Sequence, residues 1–137
     1  TVLLSGWLFI DFDTTDDLTY SGEILEEEKV RFSPDLVETY VSKGTPLFLE
    51  FTADWCATCL SNHITVLDRD FRRDLFNEKE IVYMMGDYTR ADPVISQWLA
   101  RFGRAGVPLY VYYAPGKEPV VLPEILSKSI LINALED

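Results

Sequence analysis

A pair of cysteines separated by two residues, directly after a short apolar run, constrains this chain more than any other feature. Residues 47–52 read Leu-Phe-Leu-Glu-Phe-Thr, which is typical of a buried strand. Cys56 and Cys59 follow, and residues 57–85 contain neither Gly nor Pro, which favours a helix. The pair is therefore predicted where a strand ends and a helix begins, the place at which open α/β sheets carry their functional residues.

The position of Cys56 in the first turn of the predicted helix favours reversible thiol–disulfide chemistry. Unpaired N–H groups and the positive end of the helix dipole both stabilise a thiolate there. Cys59, three residues later, can close a disulfide with it. These are the only two cysteines of the chain. A bridge across so small a loop adds little stability, so a purely structural disulfide is an unattractive interpretation.

Composition indicates one folded domain and argues against nucleic acid as a partner. The chain has 137 residues, of which 47% are hydrophobic, and this is enough for a real core. The net charge is −11. Phosphate binding needs clustered Lys and Arg, so a strongly acidic chain is a poor candidate for it.

The remaining turn signals predict alternating strands and helices. Ser33 and Pro34 start a helix that ends at Gly44. After the strand at 46–52, the predicted elements are a helix from 56 to about 76, strands at 80–85, 107–113 and 118–122, and helices at 93–102 and 127–136. This order predicts an α/β domain of three layers with a central mixed sheet.

The first 32 residues are predicted to lie apart from that domain. Residues 1–10 are apolar but too short to cross a bilayer, so a strand is the preferred interpretation, and a remnant next to a membrane segment is the alternative. Residues 11–29 are rich in Asp and Glu and are predicted to be an exposed lead-in with at most a short strand. The predicted organisation is an acidic lead-in at 1–32 and a folded domain at 33–137.

This order of elements and several local motifs resemble the thioredoxin superfamily. The supporting stretches are residues 51–56, 86–89, 103–111 and 122–126, together with the two cysteines. Within the superfamily, the chain resembles the C-terminal thioredoxin-like domain of the thiol:disulfide interchange protein DsbD family. The resemblance covers about residues 33–136 and implies a thioredoxin fold.

The resemblance also implies roles for the residues around the pair. Cys56 would be the nucleophile that forms a mixed disulfide with a partner, and Cys59 would resolve it. Pro108, which follows Val107, matches the cis-proline of the family, which faces the disulfide and pairs with an incoming peptide. Trp55, directly before the nucleophile, would belong to the same docking surface, or would only cover the start of the helix.

Glu50 and His63 are candidates for controlling the protons of the pair. In the family, the position of Glu50 is a buried carboxylate, usually Asp, that exchanges a proton with the resolving thiol. A carboxyl group beneath a thiol suits general acid–base work. His63 is the only histidine and follows Cys59 by one helical turn. The family pattern has Glu at this position, and this chain has His63 instead. His63 is either a group that shifts the pKa of the Cys59 thiol or a surface residue of the helix.

Two functions of different classes remain from the sequence. The first, implied by the resemblance, is an electron relay without a bound cofactor. A membrane-embedded dithiol would reduce the Cys56–Cys59 disulfide, which would then reduce a protein disulfide in the periplasm or an equivalent space, as a soluble domain of an inner-membrane protein. The second is a copper- or zinc-binding module that uses Cys56, Cys59 and His63, although a further ligand is not evident. The small residues at 57 and 58 leave the direction of electron flow open.

Overall fold

The structure, a computed structural model, describes residues 24–25 and 29–136. In these ranges the strands are β1 (Ile24–Leu25), β2 (Lys29–Arg31), β3 (Leu47–Thr52), β4 (Val82–Asp87), β5 (Leu109–Tyr113) and β6 (Val120–Val121). The helices are α1 (Pro34–Lys43), α2 (Ala57–Asn62), α3 (Asp70–Lys79), α4 (Pro93–Arg101) and α5 (Lys128–Ala134). A π-helical turn, His63–Leu67, continues α2. The predicted strand at 1–10 and most of the acidic lead-in lie outside the described residues.

The described strands form one mixed sheet in the order β1-β2-β4-β3-β5-β6. Strands β2, β4 and β3 are parallel, and β1, β5 and β6 pair antiparallel to their neighbours. In the centre, Glu50 of β3 lies between Met85 of β4 and Tyr110 of β5. The strand that leads to the cysteines is thus flanked on both sides, which fixes its position.

Helices cover both faces of this sheet and confirm the predicted three-layer α/β/α arrangement. Alternate residues of β3 point to opposite faces. Phe48 belongs to a core cluster with residues of the π turn, α3 and α5, whereas Leu49 belongs to a cluster with residues of α1 and α4. Glu50 points to the same face as Phe48. It therefore lies on the side of the sheet that the π turn and α3 cover.

The local signals at the first helix have the predicted effect. The Ser33 hydroxyl accepts the N–H of Leu36 at 3.3 Å, and Pro34 is the first helical residue. Gly44 ends α1 with a left-handed φ of 75°, and its N–H is satisfied by the last turn. The predicted helix from Ser33 to Gly44 is confirmed.

The prediction of one helix from 56 to about 76 is wrong, because the chain breaks after the π turn. The N–H of Asp68 bonds to the carbonyl of His63, five residues back, and Arg69 has an extended backbone. The buried Arg72 donates its Nε–H to the carbonyl of Leu67 at 2.7 Å. This bond gives a partner to a carbonyl group that has no hydrogen bond within the helix end. The helix can therefore end here without Gly or Pro.

Three predicted strands have different bounds in the structure. The strand predicted at 80–85 is Val82–Asp87, because Glu80 takes a left-handed φ of 57° that closes α3. The strand predicted at 107–113 begins at Leu109, and the one predicted at 118–122 is only Val120–Val121. These shifts leave the order of the elements unchanged.

Candidate active site

Cys56 and Cys59 form a disulfide at the start of α2, with their Cα atoms 5.2 Å apart. Cys56 caps the helix: its sulfur accepts the backbone N–H of Cys59 at 3.1 Å. A hydrogen bond to sulfur favours the thiolate when the bridge is open. Cys56 is 7% exposed and Cys59 is 1% exposed. Cys56 is thus the more exposed of the two cysteines, and its role as nucleophile stays a prediction.

The loop that carries Trp55 is held by the loop after β4. Trp55 is 61% exposed, and its indole donates the Nε1–H to the carbonyl of Thr89 at 3.1 Å. The Thr89 hydroxyl accepts the N–H of Asp54 at 2.9 Å. Sequence reasoning missed Thr89. The one signal in the sequence was the predicted order of strand, helix and strand. This order makes β3 and β4 parallel, and the loops that follow parallel strands lie at the same edge of the sheet.

The bond between Val107 and Pro108 is cis, as the resemblance implies. Val107 packs against the small cluster formed by Ala53, Cys56 and Cys59. Arg104, which follows α4, donates to the carbonyl of Pro108 at 3.2 Å and so helps to hold this loop in place. The two segments that the resemblance assigns to docking, at Trp55 and at Val107–Pro108, thus flank the disulfide.

Glu50 and His63, which the sequence offered as separate candidates, are hydrogen-bonded to each other. The Glu50 side chain is fully buried, and its Oε2 lies 2.6 Å from Nε2 of His63. Its Oε1 accepts the hydroxyl of Tyr83 at 2.7 Å. The other ring nitrogen of His63, Nδ1, lies 3.1 Å from Oδ1 of Asp68. His63 thus bridges a buried carboxylate and an exposed one, which excludes the interpretation of a plain surface histidine.

The protonation of these groups follows from that geometry. Burial opposes the charged imidazole, but the hydrogen bond and negative charge of Glu50, with the bond to Asp68, raise the pKa of His63 above 6.5. Burial acts to raise the pKa of Asp68, but His63 and Lys29 lower it below 3.8. Burial and the charge of Glu50 raise the pKa of Tyr83 well above 10, so its hydroxyl stays a donor.

Comparisons with known proteins place this geometry in a family. A family model described as thioredoxin-like matches residues 31–115. The chain belongs to this thioredoxin-like family. No curated protein matches its sequence significantly.

Solved structures confirm the thioredoxin fold of the domain. The reduced form of the C-terminal domain of DsbD from Neisseria meningitidis superposes with a TM-score of 0.61 at 16% identity, covering 77% of this chain and 96% of that one. Its oxidised form gives 0.61 at 18% identity, over 73% and 87%. A thioredoxin from Thermus thermophilus gives 0.60 at 16% identity, over 81% and 85%. A thioredoxin-like fold with a disulfide-forming cysteine pair is the arrangement of a thiol:disulfide oxidoreductase.

Asn62 of this thioredoxin-like domain is a second residue that sequence reasoning missed. It is the last residue of α2, the cysteine helix, and it is buried. The amide nitrogen donates to the Tyr110 hydroxyl at 2.8 Å and to the Glu124 carbonyl at 2.7 Å, and the amide oxygen accepts the N–H of Leu126 at 3.0 Å. One side chain therefore joins α2, β5 and the loop before α5.

The geometry does not support a metal site that combines His63 with the cysteines. Both ring nitrogens of His63 lie against carboxylate oxygens rather than sulfur. Among the described residues, no group of three or more His, Cys, Asp or Glu side chains is placed to hold a metal ion.

Among the described residues of the thioredoxin-like domain, no helix is both long and apolar enough to cross a membrane.

Proposed function

We propose that this thioredoxin-like domain relays electrons by thiol–disulfide exchange, from a membrane-embedded dithiol to a disulfide of a partner protein outside the cytoplasm. The observation that carries the proposal is the Cys56–Cys59 disulfide at the start of α2. Its outer sulfur accepts a backbone N–H, and its inner sulfur is almost fully buried. This asymmetry gives the two cysteines different tasks.

The exchange proceeds in two steps that balance. In the reduced domain, the Cys56 thiolate attacks one sulfur of the partner disulfide, and the electrons of the broken S–S bond leave with the other sulfur, which takes up a proton. The Cys59 thiol then loses its proton and attacks the Cys56 sulfur, which releases the second partner thiol. Two electrons and two protons reach the partner, and the domain is left with its disulfide. Reaction with a membrane-embedded dithiol reverses these steps on the domain.

The surface around the disulfide favours a protein as the partner. Trp55, Leu60 and Ile64 are large apolar side chains that are 61, 61 and 57% exposed. Leu60 and Ile64 lie one helical turn apart, directly after the cysteines. Apolar and aromatic side chains of this kind are typical of the buried centres of protein interfaces.

Similarity to the C-terminal domain of DsbD supports the relay and its location. The motifs around the cysteines resemble that family, and the fold of its Neisseria meningitidis member is similar to this one. On this basis we assign the domain to the periplasm or an equivalent space, as part of an inner-membrane protein. No bound cofactor is required, because the electrons travel in the disulfide itself.

A redox titration of the purified, metal-free domain tests the proposal. In defined thiol buffers, read by alkylation and mass spectrometry, we expect one two-electron transition at about −200 to −270 mV, the range of reductants and of related exchange proteins. A midpoint of about −120 mV would identify an oxidant and reverse the proposed direction of electron flow. Failure to form a reversible disulfide would overturn the function altogether.

Two matched variants assign the roles of the cysteines in the same experiment. Cys59→Ala keeps the attacking sulfur and should accumulate mixed disulfides with a protein disulfide substrate. Cys56→Ala keeps only the buried sulfur and should neither reduce nor trap the substrate. Trapping through Cys59 instead would reverse the assignment of the nucleophile.

A further inference from the structure

Arg104 connects the Val107–Pro108 segment with the loop before α5. Its backbone N–H bonds to the carbonyl of Leu99 at 2.9 Å, so the residue is anchored at the end of α4. Its Nη1 donates to the Pro108 carbonyl at 3.2 Å and to Oε2 of Glu124 at 3.4 Å. The side chain is only 22% exposed, and partial burial shields such charged contacts from screening by salt.

The Pro108 carbonyl lies beyond the point at which β5 pairs with β6. The N–H of Leu122, just after β6, donates to the Tyr110 carbonyl at 2.9 Å. Carbonyl groups two residues apart on a strand point to the same edge, so the Pro108 carbonyl comes next along that edge. Pro123 follows Leu122 and has no N–H to donate. The guanidinium of Arg104 therefore provides a donor where the pairing of the strands has ended.

The segment that Arg104 holds adjoins the disulfide. Val107 packs against the small cluster that contains both cysteines. A displacement of the Pro108 peptide would therefore move the backbone of Val107 relative to the two sulfur atoms. A polypeptide whose disulfide reaches Cys56 has to place its own chain beside Val107, whereas a small disulfide does not.

The other contact of Arg104 is in a loop that is tied to the cysteine helix. The Glu124 carbonyl accepts the side-chain amide of Asn62, and the N–H of Leu126 donates to the oxygen of the same amide. Ile125, between them, is 72% exposed, more than any other large apolar side chain of the described residues. The backbone of this loop is thus held in place while an apolar side chain lies open to a partner.

We propose that Arg104 is a positioning residue for polypeptide partners, because it holds the Val107–Pro108 segment and the Glu124 loop in the relative positions that a polypeptide disulfide needs for binding. The inference rests on the thiol–disulfide exchange proposed above. The contacts of Arg104 are with a carbonyl and a carboxylate group, so it acts on the binding surface and not on the exchange of bonds. Its loss should therefore weaken the preference of the domain for polypeptide disulfides over small ones.

The Arg104→Met variant tests the inference, because it removes both contacts and keeps a long side chain. One substrate is insulin, whose chains are joined by disulfides, with dithiothreitol as the electron donor. The other is hydroxyethyl disulfide, small and uncharged, followed as a single oxidation of the reduced domain. We expect the KM for insulin to rise by about fivefold or more at unchanged kcat, and the rate constant for hydroxyethyl disulfide to change by less than about twofold. Arg104→Lys can still donate to the Pro108 carbonyl and should recover most of the affinity for insulin.

The matched control is Arg73→Met. Arg73 lies on α3, is 48% exposed and also pairs with carboxylates, those of Asp70 and Asp74. Its loss should leave the KM for insulin unchanged. Glu124→Gln, at a position that is 59% exposed, serves if Arg104→Met does not fold. It removes only the ion pair, and we expect the KM for insulin to rise by about twofold or more.

The outcomes separate this inference from the proposed function. If folded Arg104→Met keeps the normal KM for insulin, or if it loses as much reactivity towards hydroxyethyl disulfide, Arg104 does not position polypeptide partners. An unchanged KM in Glu124→Gln, where that variant has to be used, leads to the same conclusion. If the unaltered domain forms no reversible disulfide in thiol buffers, both the inference and the function that it rests on are overturned.

Discussion

His63 places an imidazole beside the buried carboxylate of Glu50, where a second carboxylate would be repelled. The DsbD-like pattern has Glu at this position, and a carboxylate beside the buried Glu50 would compete with it for one proton. The imidazole instead contacts Glu50 at 2.6 Å and Asp68 at 3.1 Å. His63 thus gives the buried Glu50 a partner of opposite charge when the imidazole is protonated.

This ion pair makes the stability of the domain depend on pH in a defined direction. The pKa of His63 is raised in the folded domain, so its stabilising contribution is fully present below about pH 6.5, the pKa of a free imidazole, and is lost as pH rises through the folded pKa. Urea unfolding of the unaltered domain should show a loss of free energy over this window, and His63→Gln should show a flatter profile. Equal slopes for both proteins would mean that the pair is not charged.

At the scale of elements, Asn62 connects three parts of the site that are distant in sequence. Its amide binds the hydroxyl of Tyr110 and the backbone of Glu124 and Leu126. A buried polar group left without a partner costs about 1–3 kcal/mol, and Asn62→Ala removes the partner of two buried groups, the Tyr110 hydroxyl and the Leu126 N–H. We expect the free energy of unfolding to fall by about 3 kcal/mol or more, measured by urea denaturation.

A matched substitution controls for the loss of a side chain as such. Asn77 lies on α3 and is exposed. Asn77→Ala should change the free energy of unfolding by no more than about 0.5 kcal/mol. Similar losses of unfolding free energy in the two variants would show that the hydrogen bonds of Asn62 do not stabilise the domain.

Local signals in the sequence predicted the elements but not the contacts between them. The Ser33 cap, Gly44 and the apolar run at 47–52 act within a few residues, so the order of strands and helices could be read directly. The break after Leu67 could not, because it depends on a bond from Arg72 to a backbone carbonyl. The link from Glu50 to His63 likewise needs β3 and the π turn to be packed together. Both residues could be singled out from the sequence, but the hydrogen bond between them is visible only in the fold.

At the scale of the whole molecule, the sheet and its two core clusters hold the domain together, and the disulfide contributes little. The bridge joins residues only three apart. Closing so small a loop stabilises by at most about 2 kcal/mol in the chain-entropy model. We therefore expect the reduced domain to stay folded, with a loss of that size in urea denaturation. The Cys56→Ser/Cys59→Ser double variant should be insensitive to reductant, and a loss above about 4 kcal/mol on reduction would show a structural disulfide.

The short strand β2 has a consequence for where this domain can be cut. Residues 29–31 pair with residues 83–85 of β4 and cover that side of the sheet. A chain shortened to begin at residue 33 would lose this cover and expose the N–H and C=O groups of β4 as an open edge. A second molecule can add its own strand to such an edge, which is the usual route to aggregation. A fragment of this kind would keep both cysteines and fail through self-association rather than through chemistry.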